Sequence, residues 1–407
     1  MTSVQEKFSL FSGHPEPGIE RNEFSVAKGD DVIGRLAVIR LERGDTLPDI
    51  ARHFSLGINA VSAANPGVDV WVPRDREQIL LPLSFILPDT PRKGIVINLA
   101  TMRLFQFKRD GKSLAVSTYP VGIGTEERPS PTGPMRVERK APRPTWYVPA
   151  SIAESHRKKG VILPAKVPPG PENPLGEYAL YLSMSSYLMH GTNKPASIGL
   201  RATNGCIRLY PEDVKRLYKD TAVKTPVLIV NQPYLLGQRD GVLYIEAHVP
   251  LEGMDADLDG VYAKLKKFEK DSGRTLDRSK LKKILAEARG IPVPVFELRE
   301  GSEKNVAKPV KVKHPDTLYA RLETPKLKLD AWYVLAADVS DEIDARRIAA
   351  IINHQGPPIP ARVVSKRNGY RVIAGPFNDV SEAKDALKRL KFDLDIDGIL
   401  IEPVRKG

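Results

Sequence analysis

Two stretches decide how this chain is interpreted: Met189-His190-Gly191-Thr192-Asn193-Lys194-Pro195 and Thr203-Asn204-Gly205-Cys206-Ile207-Arg208-Leu209. Cys206 is the only cysteine in 407 residues, so neither an internal disulfide nor a cysteine metal cluster can form. A lone thiol with His190 upstream and Arg208 shortly after it is typical of an activated nucleophile, because imidazole or guanidinium groups favour the thiolate. A buried structural cysteine is the alternative, since free cysteine packs as a small hydrophobe.

The residues just before the thiol favour the catalytic interpretation. Gly205 allows a tight turn and a close approach of the backbone to a ligand. The backbone amides around Asn204, Gly205 and Cys206 can then point at a developing oxyanion. The loop therefore predicts an acyl-transfer site.

Both stretches resemble the signature of the L,D-transpeptidase catalytic domain, the YkuD-type domain of bacterial cell-wall enzymes, in its ErfK/YbiS-like form. That pattern is His-Gly-Thr, a spacer, then Ser/Thr-His-Gly-Cys with an arginine two residues on. The matching residues are His190, Thr203, Gly205, Cys206 and Arg208. Asn204 stands where the family most often has histidine, which leaves its role open.

The resemblance implies that Cys206 is the nucleophile and His190 the general base. Since Gly191 has no side chain, only its carbonyl can orient His190. Arg208 supports the loop or attracts a substrate carboxylate, and a structural salt bridge is the alternative. The further candidates for oxyanion or substrate binding are Thr203, Asn204, Gly205, Asn193, Tyr187 and Trp146. No cofactor or metal is expected, because the seven histidines are scattered and His190 has no partner at ligand spacing.

Length and composition indicate a multidomain globular protein. At 407 residues we expect two to four domains, and 28% charged residues indicate a soluble chain. The formal net charge of +12 favours a polyanionic partner such as a cell-wall polymer. Nucleic acid is not expected, because no dense basic run has interleaved aromatic residues.

The sequence has no segment apolar enough to span a membrane and no visible signal peptide. A complete native chain of this kind would be cytoplasmic, whereas the enzymes that it resembles act outside the inner membrane. We therefore expect the periplasm or cell envelope, with an export signal removed or upstream of the first residue.

Residues 1–35 are predicted to be an extended segment, and residues 36–84 a compact module. The order strand, helix, helix, strand follows from Ala37–Leu41, the cap at Gly44-Asp45-Thr46, and the stop at Asn65-Pro66. This order and these motifs resemble a LysM module, which implies binding of glycans that contain N-acetylglucosamine. A purely structural module is the alternative.

Residues 92–231 are predicted to be the catalytic domain. Its many short β-rich runs, separated by glycine and proline, indicate a β-sandwich or barrel, and the family resemblance extends through it. We expect the segment from about 150 to 174 to be a long loop that forms a lid over the cleft.

Residues 232–329 are predicted to be a connector with a hairpin, two charged helices and a flexible linker over 300–328. The run Asp255–Gly260 has the opening spacing of an EF-hand loop. Lys266 stands where a bidentate glutamate belongs, so calcium binding is rejected.

Residues 330–405 follow the ferredoxin-like order strand, helix, strand, strand, helix, strand, with Asn368-Gly369 as a hairpin turn. The segments Trp332–Val334 and Arg371–Phe377 resemble a SPOR domain, which implies binding to peptidoglycan glycan strands. The predicted fold class is thus a mainly β catalytic domain flanked by a small βααβ module and a ferredoxin-like α+β module.

The resemblance implies an L,D-transpeptidase that acts on peptidoglycan stem peptides. Cys206 would attack the carbonyl before the terminal D-alanine of a tetrapeptide stem, and His190 would move the proton. The sequence does not distinguish between three acceptors: a second stem, giving 3-3 cross-links, an outer-membrane lipoprotein, or a free D-amino acid. The alternatives are an L,D-carboxypeptidase with the same two residues and an inactive peptidoglycan-binding scaffold.

Overall fold

The computed structural model describes residues 22–111, 113–158, 160–296, 306–319 and 321–404. Most of the predicted extended segment 1–35 therefore lies outside the described residues. Its described part contains strands β1 (Glu23–Val26) and β2 (Val32–Gly34), which pair with strands further along the chain. These residues belong to the folded body, which corrects the prediction of a lead-in.

In the N-terminal module the elements follow the order strand, helix, helix, strand. Its elements are β3 (Ala37–Arg40), α1 (Leu47–His53), α2 (Ile58–Ala64) and β4 (Gln78–Leu81), followed by β5 (Ser84–Ile86). Thr46 caps α1, its Oγ1 accepting the amide of Asp49 at 3.2 Å. Asn65 fixes α2 to β4, because it accepts the Leu80 amide at 2.7 Å and donates to the Val61 carbonyl at 2.8 Å.

The next region is rich in strands, as predicted. Its elements are β6 (Gly94–Asn98), β7 (Arg103–Asp110), β8 (Ser113–Pro120), β9 (Ile123–Gly124), β10 (Gly133–Pro142), β11 (Trp146–Tyr147), α3 (Ala150–Lys158), β12 (Lys166–Val167), β13 (Tyr178–Leu182), β14 (Leu188–His190), β15 (Arg201–Thr203), β16 (Ile207–Arg208), α4 (Pro211–Asp220) and β17 (Pro226–Val230). Nine strands form one mixed sheet in the order β1-β8-β7-β6-β17-β10-β13-β14-β16. The pairs β17–β6 and β14–β16 are parallel, and the other neighbours are antiparallel.

Part of this sheet is buried on both faces, because the N-terminal module packs against one of them. Ile95 and Ile97 on β6 pack into a cluster with the strands of the site, whereas Val96 packs with Leu47 and Ile50 of α1. Alternating side chains of a strand point to opposite faces, and a strand covered on both faces is therefore apolar throughout. The two units are packed together across this common core.

The segment 150–174 is not the structureless loop that we predicted. It contains helix α3, and β12 pairs with β11 through Trp146 opposite Val167. The side-chain amide of Asn173 donates to the Pro144 carbonyl at 2.8 Å. Local hydrogen bonds therefore give this segment a defined shape.

The hairpin and charged helices of the connector form a small unit with its own core. The elements are β18 (Tyr234–Arg239), β19 (Val242–Ala247), α5 (Leu258–Ser272), α6 (Arg278–Glu287) and β20 (Val293–Pro294). Ile245, Val261 and Leu265 lie at its centre. The acidic run begins α5, whose cap Asp257 accepts the Gly260 amide at 2.8 Å.

The predicted flexible linker is corrected for its described part. Strand β21 (Val310–Val312) pairs in parallel with β3, and Leu318 is buried in the core of the N-terminal module. Val310 and Val312 alternate with lysines, which is only a weak strand signal in the sequence. The strand forms along the edge of β3. Residues 297–305 and 320 lie outside the described residues.

The C-terminal unit has the predicted ferredoxin-like order. Its elements are β22 (Trp332–Val339), α7 (Glu342–Asn353), β23 (Ala361–Lys366), β24 (Gly369–Phe377), α8 (Val380–Leu394) and β25 (Ile399–Ile401). The antiparallel sheet has the order β23-β24-β22-β25. Among the described helices, none is long and apolar enough to cross a membrane.

This C-terminal unit contacts both preceding units. Arg347 forms an ion pair with Asp69 of the N-terminal module at 2.8 Å. Asp393 on α8 forms another with Lys194, in the segment after His190, at 3.1 Å. The unit is therefore docked beside the candidate site.

Candidate active site

Strands β14 and β16 bring the two predicted stretches together. They pair in parallel, with Met189 opposite Ile207 and His190 opposite Arg208. Met189 and Ile207 are buried in the core cluster of the sheet. Because side chains alternate along a strand, His190 and Arg208 lie on the other face of the sheet. Cys206 precedes Ile207, so the same alternation puts its side chain on the face of His190 and Arg208. The register therefore groups the histidine, thiol and guanidinium that the sequence singled out.

His190 is 4% exposed, and its Nδ1 lies 2.6 Å from the Gly191 carbonyl oxygen. A carbonyl oxygen can only accept, so Nδ1 of the neutral ring carries the proton and Nε2 is left as the acceptor. The sequence predicted this carbonyl as the group that orients the ring, because Gly191 has no side chain. A Cβ at Gly191 would lie 3.0 Å from Cγ1 of Val214, so a side chain has little room there.

Burial keeps both the His190 imidazole and the Cys206 thiol neutral. It lowers the pKa of His190 to about 3, with a smaller contribution in the same direction from the charge of Arg208. Burial raises the pKa of the Cys206 thiol, against the opposing effects of the Leu188 backbone and Arg208. The thiol donates to the Ser186 carbonyl at 3.7 Å. Arg208 does favour the thiolate as the sequence suggests, but desolvation is the larger effect. At rest Cys206 is therefore a thiol and His190 a neutral imidazole.

Arg208 supports the loop from within the protein. Its Nη1 donates to Ser197 Oγ at 2.8 Å, and burial lowers its pKa to about 10, so that it is charged at neutral pH. No carboxylate of the described residues pairs with it, and the alternative of a structural salt bridge is therefore not seen in this part of the chain. Its charge acts on the neighbouring groups, since it lowers the pKa of both Cys206 and His190.

The loop before the thiol is held by Thr203. Its Oγ1 donates to the Cys206 carbonyl at 2.7 Å and accepts the Gly205 amide at 3.2 Å. Gly205 has φ +99°, and a Cβ there would lie 2.7 Å from Cε1 of Tyr187. Only glycine fits this conformation and this contact without strain. Since the Gly205 amide is engaged, the amides of Asn204 and Cys206 are the loop's candidates for oxyanion donors.

Asn204 is exposed at the mouth of the site and binds Arg128, a residue that sequence reasoning missed. Arg128 Nη1 donates to Asn204 Oδ1 at 2.8 Å and lies 3.4 Å from Ser151 Oγ on α3. An arginine so distant in the chain gives no local signal that could have linked it to the motif. Asn204 is thereby connected through Arg128 to helix α3 in the segment 150–174.

Two other predicted residues have partners in the segment 150–174. Asn193 Nδ2 donates to the Pro171 carbonyl at 3.2 Å, and Trp146 lies in the small sheet of β11 and β12. No hydrogen bond between described residues joins either of them to Cys206 or His190. Within the described ranges, no group of three or more His, Cys, Asp or Glu side chains could hold a metal ion.

Comparisons with known proteins agree on one family. Residues 92–229 match the L,D-transpeptidase catalytic domain (YkuD), and residues 328–402 match the SPOR domain. The probable L,D-transpeptidase ErfK/SrfK of Salmonella typhimurium is 35% identical over 305 residues, which covers 72% of this chain and 94% of that relative. The probable L,D-transpeptidase YbiS of Escherichia coli is 39% identical over 236 residues, covering 57% of this chain and 76% of the relative.

The solved catalytic domain of the E. faecium L,D-transpeptidase is 20% identical and covers 35% of this chain and 99% of that domain, with a TM-score of 0.26. A TM-score this low carries no weight, and the assignment rests on the sequence relatives and the family model. On those two grounds the chain belongs to the L,D-transpeptidase family of enzymes.

Proposed function

We propose that Cys206 is the nucleophile and His190 the general base of an acyl transfer on peptidoglycan stem peptides. The observation that carries this proposal is the hydrogen bond from His190 Nδ1 to the Gly191 carbonyl, 2.6 Å long. It leaves Nε2 as a proton acceptor on the face that Cys206 shares. A neutral histidine and a thiol are the protonation states from which base-assisted attack begins.

In the first half-reaction the thiol sulfur attacks the carbonyl before the terminal D-alanine, and its proton passes to Nε2 of His190. Because the imidazole has a pKa of about 3, a long-lived imidazolium is unfavourable, and proton transfer accompanies attack. The tetrahedral oxyanion faces the amides of Asn204 and Cys206. Its collapse expels the D-alanine amine, which takes the proton from His190 and leaves a thioester on Cys206.

In the second half-reaction an acceptor amine attacks the thioester and gives its proton to His190. The thiolate then leaves and is protonated by the same imidazole, which restores the resting pair. A second stem as acceptor forms a 3-3 cross-link, and an outer-membrane lipoprotein amine would be attached by the same chemistry. Water as acceptor gives the carboxypeptidase reaction.

Arg128 is proposed to receive a carboxylate of the stem at the mouth of the site. Its hydrogen-bond partners, Asn204 and Ser151, are both neutral, so no carboxylate of the described residues balances its charge there. Asn204 would then hold the guanidinium beside the nucleophile loop. This gives the asparagine a positioning role in place of the histidine common in the family.

The two flanking units are proposed to hold the enzyme on peptidoglycan in the cell envelope. The match to the SPOR domain supports glycan binding by the C-terminal unit, and the βααβ order together with its Gly-Asp-Thr turn supports a LysM-like role for the N-terminal module. Attached binding modules raise the local substrate concentration even when each binds weakly. The net charge of +12 suits an anionic wall polymer.

Incubation of the purified protein with disaccharide-tetrapeptide, followed by mass spectrometry, tests this function. We expect cross-linked dimers and free D-alanine, both absent with Cys206→Ala. Disaccharide-tripeptide without dimers would instead establish the carboxypeptidase. Untouched substrate with retained glycan binding would establish the scaffold and overturn the proposed activity.

A further inference from the structure

The corner where α1 meets α2 in the N-terminal module, residues 54–58, is bonded to the backbone of the active-site region on two sides. On one side, the Ile58 amide donates to the Ile198 carbonyl at 3.1 Å. On the other side, the Tyr210 hydroxyl donates to the Leu56 carbonyl at 3.1 Å. Leu56 and Ile58 are buried in this contact. The module is therefore attached to both chain segments that flank the nucleophile loop.

The contact at Ile198 is close because glycine stands on both sides of it. A Cβ on Gly199 would lie 2.4 Å from Asn59 Oδ1 and 2.6 Å from the Ile58 nitrogen. A Cβ on Gly57 would lie 3.1 Å from the Cα of Gly199. Only glycine lets two backbones approach this closely. A side chain at either position would push the two units apart.

The segment that is bonded in this way holds Arg208. Ser197, next to Ile198, accepts Nη1 of Arg208 at 2.8 Å and donates its own proton to the Lys194 carbonyl at 2.6 Å. Because that proton is committed, the hydroxyl turns its lone pairs to the guanidinium. Among the described residues, this is the one hydrogen bond of the Arg208 side chain, whose Nε is buried without a partner. A displacement of Ser197 would therefore release the guanidinium.

The position of this guanidinium matters to both reacting groups. Arg208 lies opposite His190 in the parallel pair of β14 and β16, and the Cys206 side chain shares their face. Burial shifts the pKa of both the imidazole and the thiol, and the charge of Arg208 lowers both. Electrostatic energy falls with distance, so this effect depends on where the guanidinium is held.

We propose that the N-terminal module positions Arg208 for the reaction, with Ile58 and Gly199 as positioning residues that act through Ser197. This role rests on the proposed assignment of Cys206 as the nucleophile. It is separate from the glycan binding proposed for the module, and it gives the module a part in the chemistry itself.

Alkylation of Cys206 by iodoacetamide at pH 8 tests this role, because its rate reports the thiolate without any substrate. The Gly199→Ala variant sets a Cβ against α2, and we expect it to slow alkylation several-fold, as we expect of Arg208→Gln. Gly67→Ala is the matched control, since Gly67 has the same φ of +86° and no atom within 4 Å of the added Cβ. In the Arg208→Gln background, Gly199→Ala should cause no further slowing, because changes that act through one group are not additive.

A second variant removes the hydrogen bond without adding bulk at the contact. Ile58 is the first residue of α2, where proline is tolerated because that N–H has no partner within the helix. Gly57 before it is extended, with φ −84° and ψ 151°, which suits a residue that precedes proline. Ile58→Pro therefore deletes the donor to Ile198 and should slow alkylation several-fold. Ile58→Ala, which keeps the amide, should not.

Alkylation at the wild-type rate in a folded Gly199→Ala or Ile58→Pro variant overturns the proposal. Slowing by the same factor with and without Arg208 also overturns it, because the module would then act through another group. Thermal melts followed by circular dichroism show which variants are folded. Ser197→Ala removes only the acceptor hydroxyl and must slow alkylation too, and a wild-type rate in it overturns the proposal whatever the other variants do. None of these measurements uses a stem peptide, so a failed transpeptidation assay would count only against the proposed function.

Discussion

His190 Nδ1 lies 2.6 Å from the carbonyl oxygen of Gly191, the residue that follows it. Among the residues that the structure describes, no carboxylate bonds to this ring, so the carbonyl fixes its tautomer and no nearby negative charge raises its pKa. Burial and Arg208 lower its pKa to about 3 instead. The ring is therefore a weak base that stays neutral far below the pH at which free histidine is protonated.

The first prediction concerns the pH dependence of kcat/KM. A base whose pKa is lowered loses activity only as the pH falls toward that lowered value. We expect kcat/KM to be level from about pH 5 to 8, with no inflection near the value of about 6.5 for free histidine. Initial rates with disaccharide-tetrapeptide across this range measure it. An acid limb centred near 6.5 would mean that the base is solvated in the working enzyme.

The second prediction concerns Arg208→Gln. The charge of Arg208 lowers the pKa of both His190 and Cys206, so its removal should raise both. A higher thiol pKa leaves less thiolate at pH 8, and we expect alkylation of Cys206 by iodoacetamide to slow several-fold. The acid limb of kcat/KM should move to higher pH at the same time. Arg109→Gln, on an exposed part of β7, is the control. If Arg208→Gln were alkylated as fast as the wild type, Arg208 would not lower the pKa of the Cys206 thiol.

The third prediction concerns Gly205→Ala. The added Cβ would lie 2.7 Å from the Tyr187 ring, and the alanine would have to adopt φ +99°. The loop and its amides should therefore shift. We expect kcat to fall on the order of 10²–10³-fold, as when an oxyanion donor is lost. Gly133→Ala is a matched control, because φ is +111° there and no atom lies within 4 Å of the added Cβ. If both variants lost activity equally, backbone strain alone would be responsible.

The fourth prediction concerns Arg128→Gln. If Arg128 receives a stem carboxylate, the variant should raise KM roughly tenfold, the effect of about 1.4 kcal/mol of lost binding, with a smaller change in kcat. A series of stems, each with one carboxylate amidated, identifies the group that Arg128 binds. The wild type should show the same rise in KM on the stem that lacks this carboxylate. The Arg128→Gln variant should have the same KM on that stem as on the unmodified one. A variant that impairs every stem equally would show that Arg128 only supports α3. Arg143→Gln, which alters another exposed arginine of the same region, controls for net charge.

Local signals in the sequence predicted the elements that depend on nearby residues. Thr46 caps α1, and Asn368-Gly369 turns the hairpin between β23 and β24, because each acts on backbone groups a few residues away. His190 ends β14, and Cys206 directly precedes β16, the strand that pairs with β14 in parallel. These parts of the fold and of the site follow from the amino-acid sequence alone.

Contacts between distant segments were not predictable in the same way. The bond from Arg128 to Asn204 joins residues far apart in the chain, and β21 is a short strand that forms only because β3 presents an edge. The neutrality of the thiol also escaped sequence reasoning, because burial outweighs the neighbouring charge of Arg208. Burial depends on the packing of the whole sheet.

The central claim is that the acyl group passes through Cys206. Intact-protein mass spectrometry after rapid acid quench, with a tetrapeptide stem and no amine acceptor, tests it most directly. We predict that the wild type gains the mass of the stem less D-alanine, that peptide mapping places it on Cys206, and that Cys206→Ala gains nothing. An adduct on another residue, or D-alanine release by Cys206→Ala at the wild-type rate, would contradict the account.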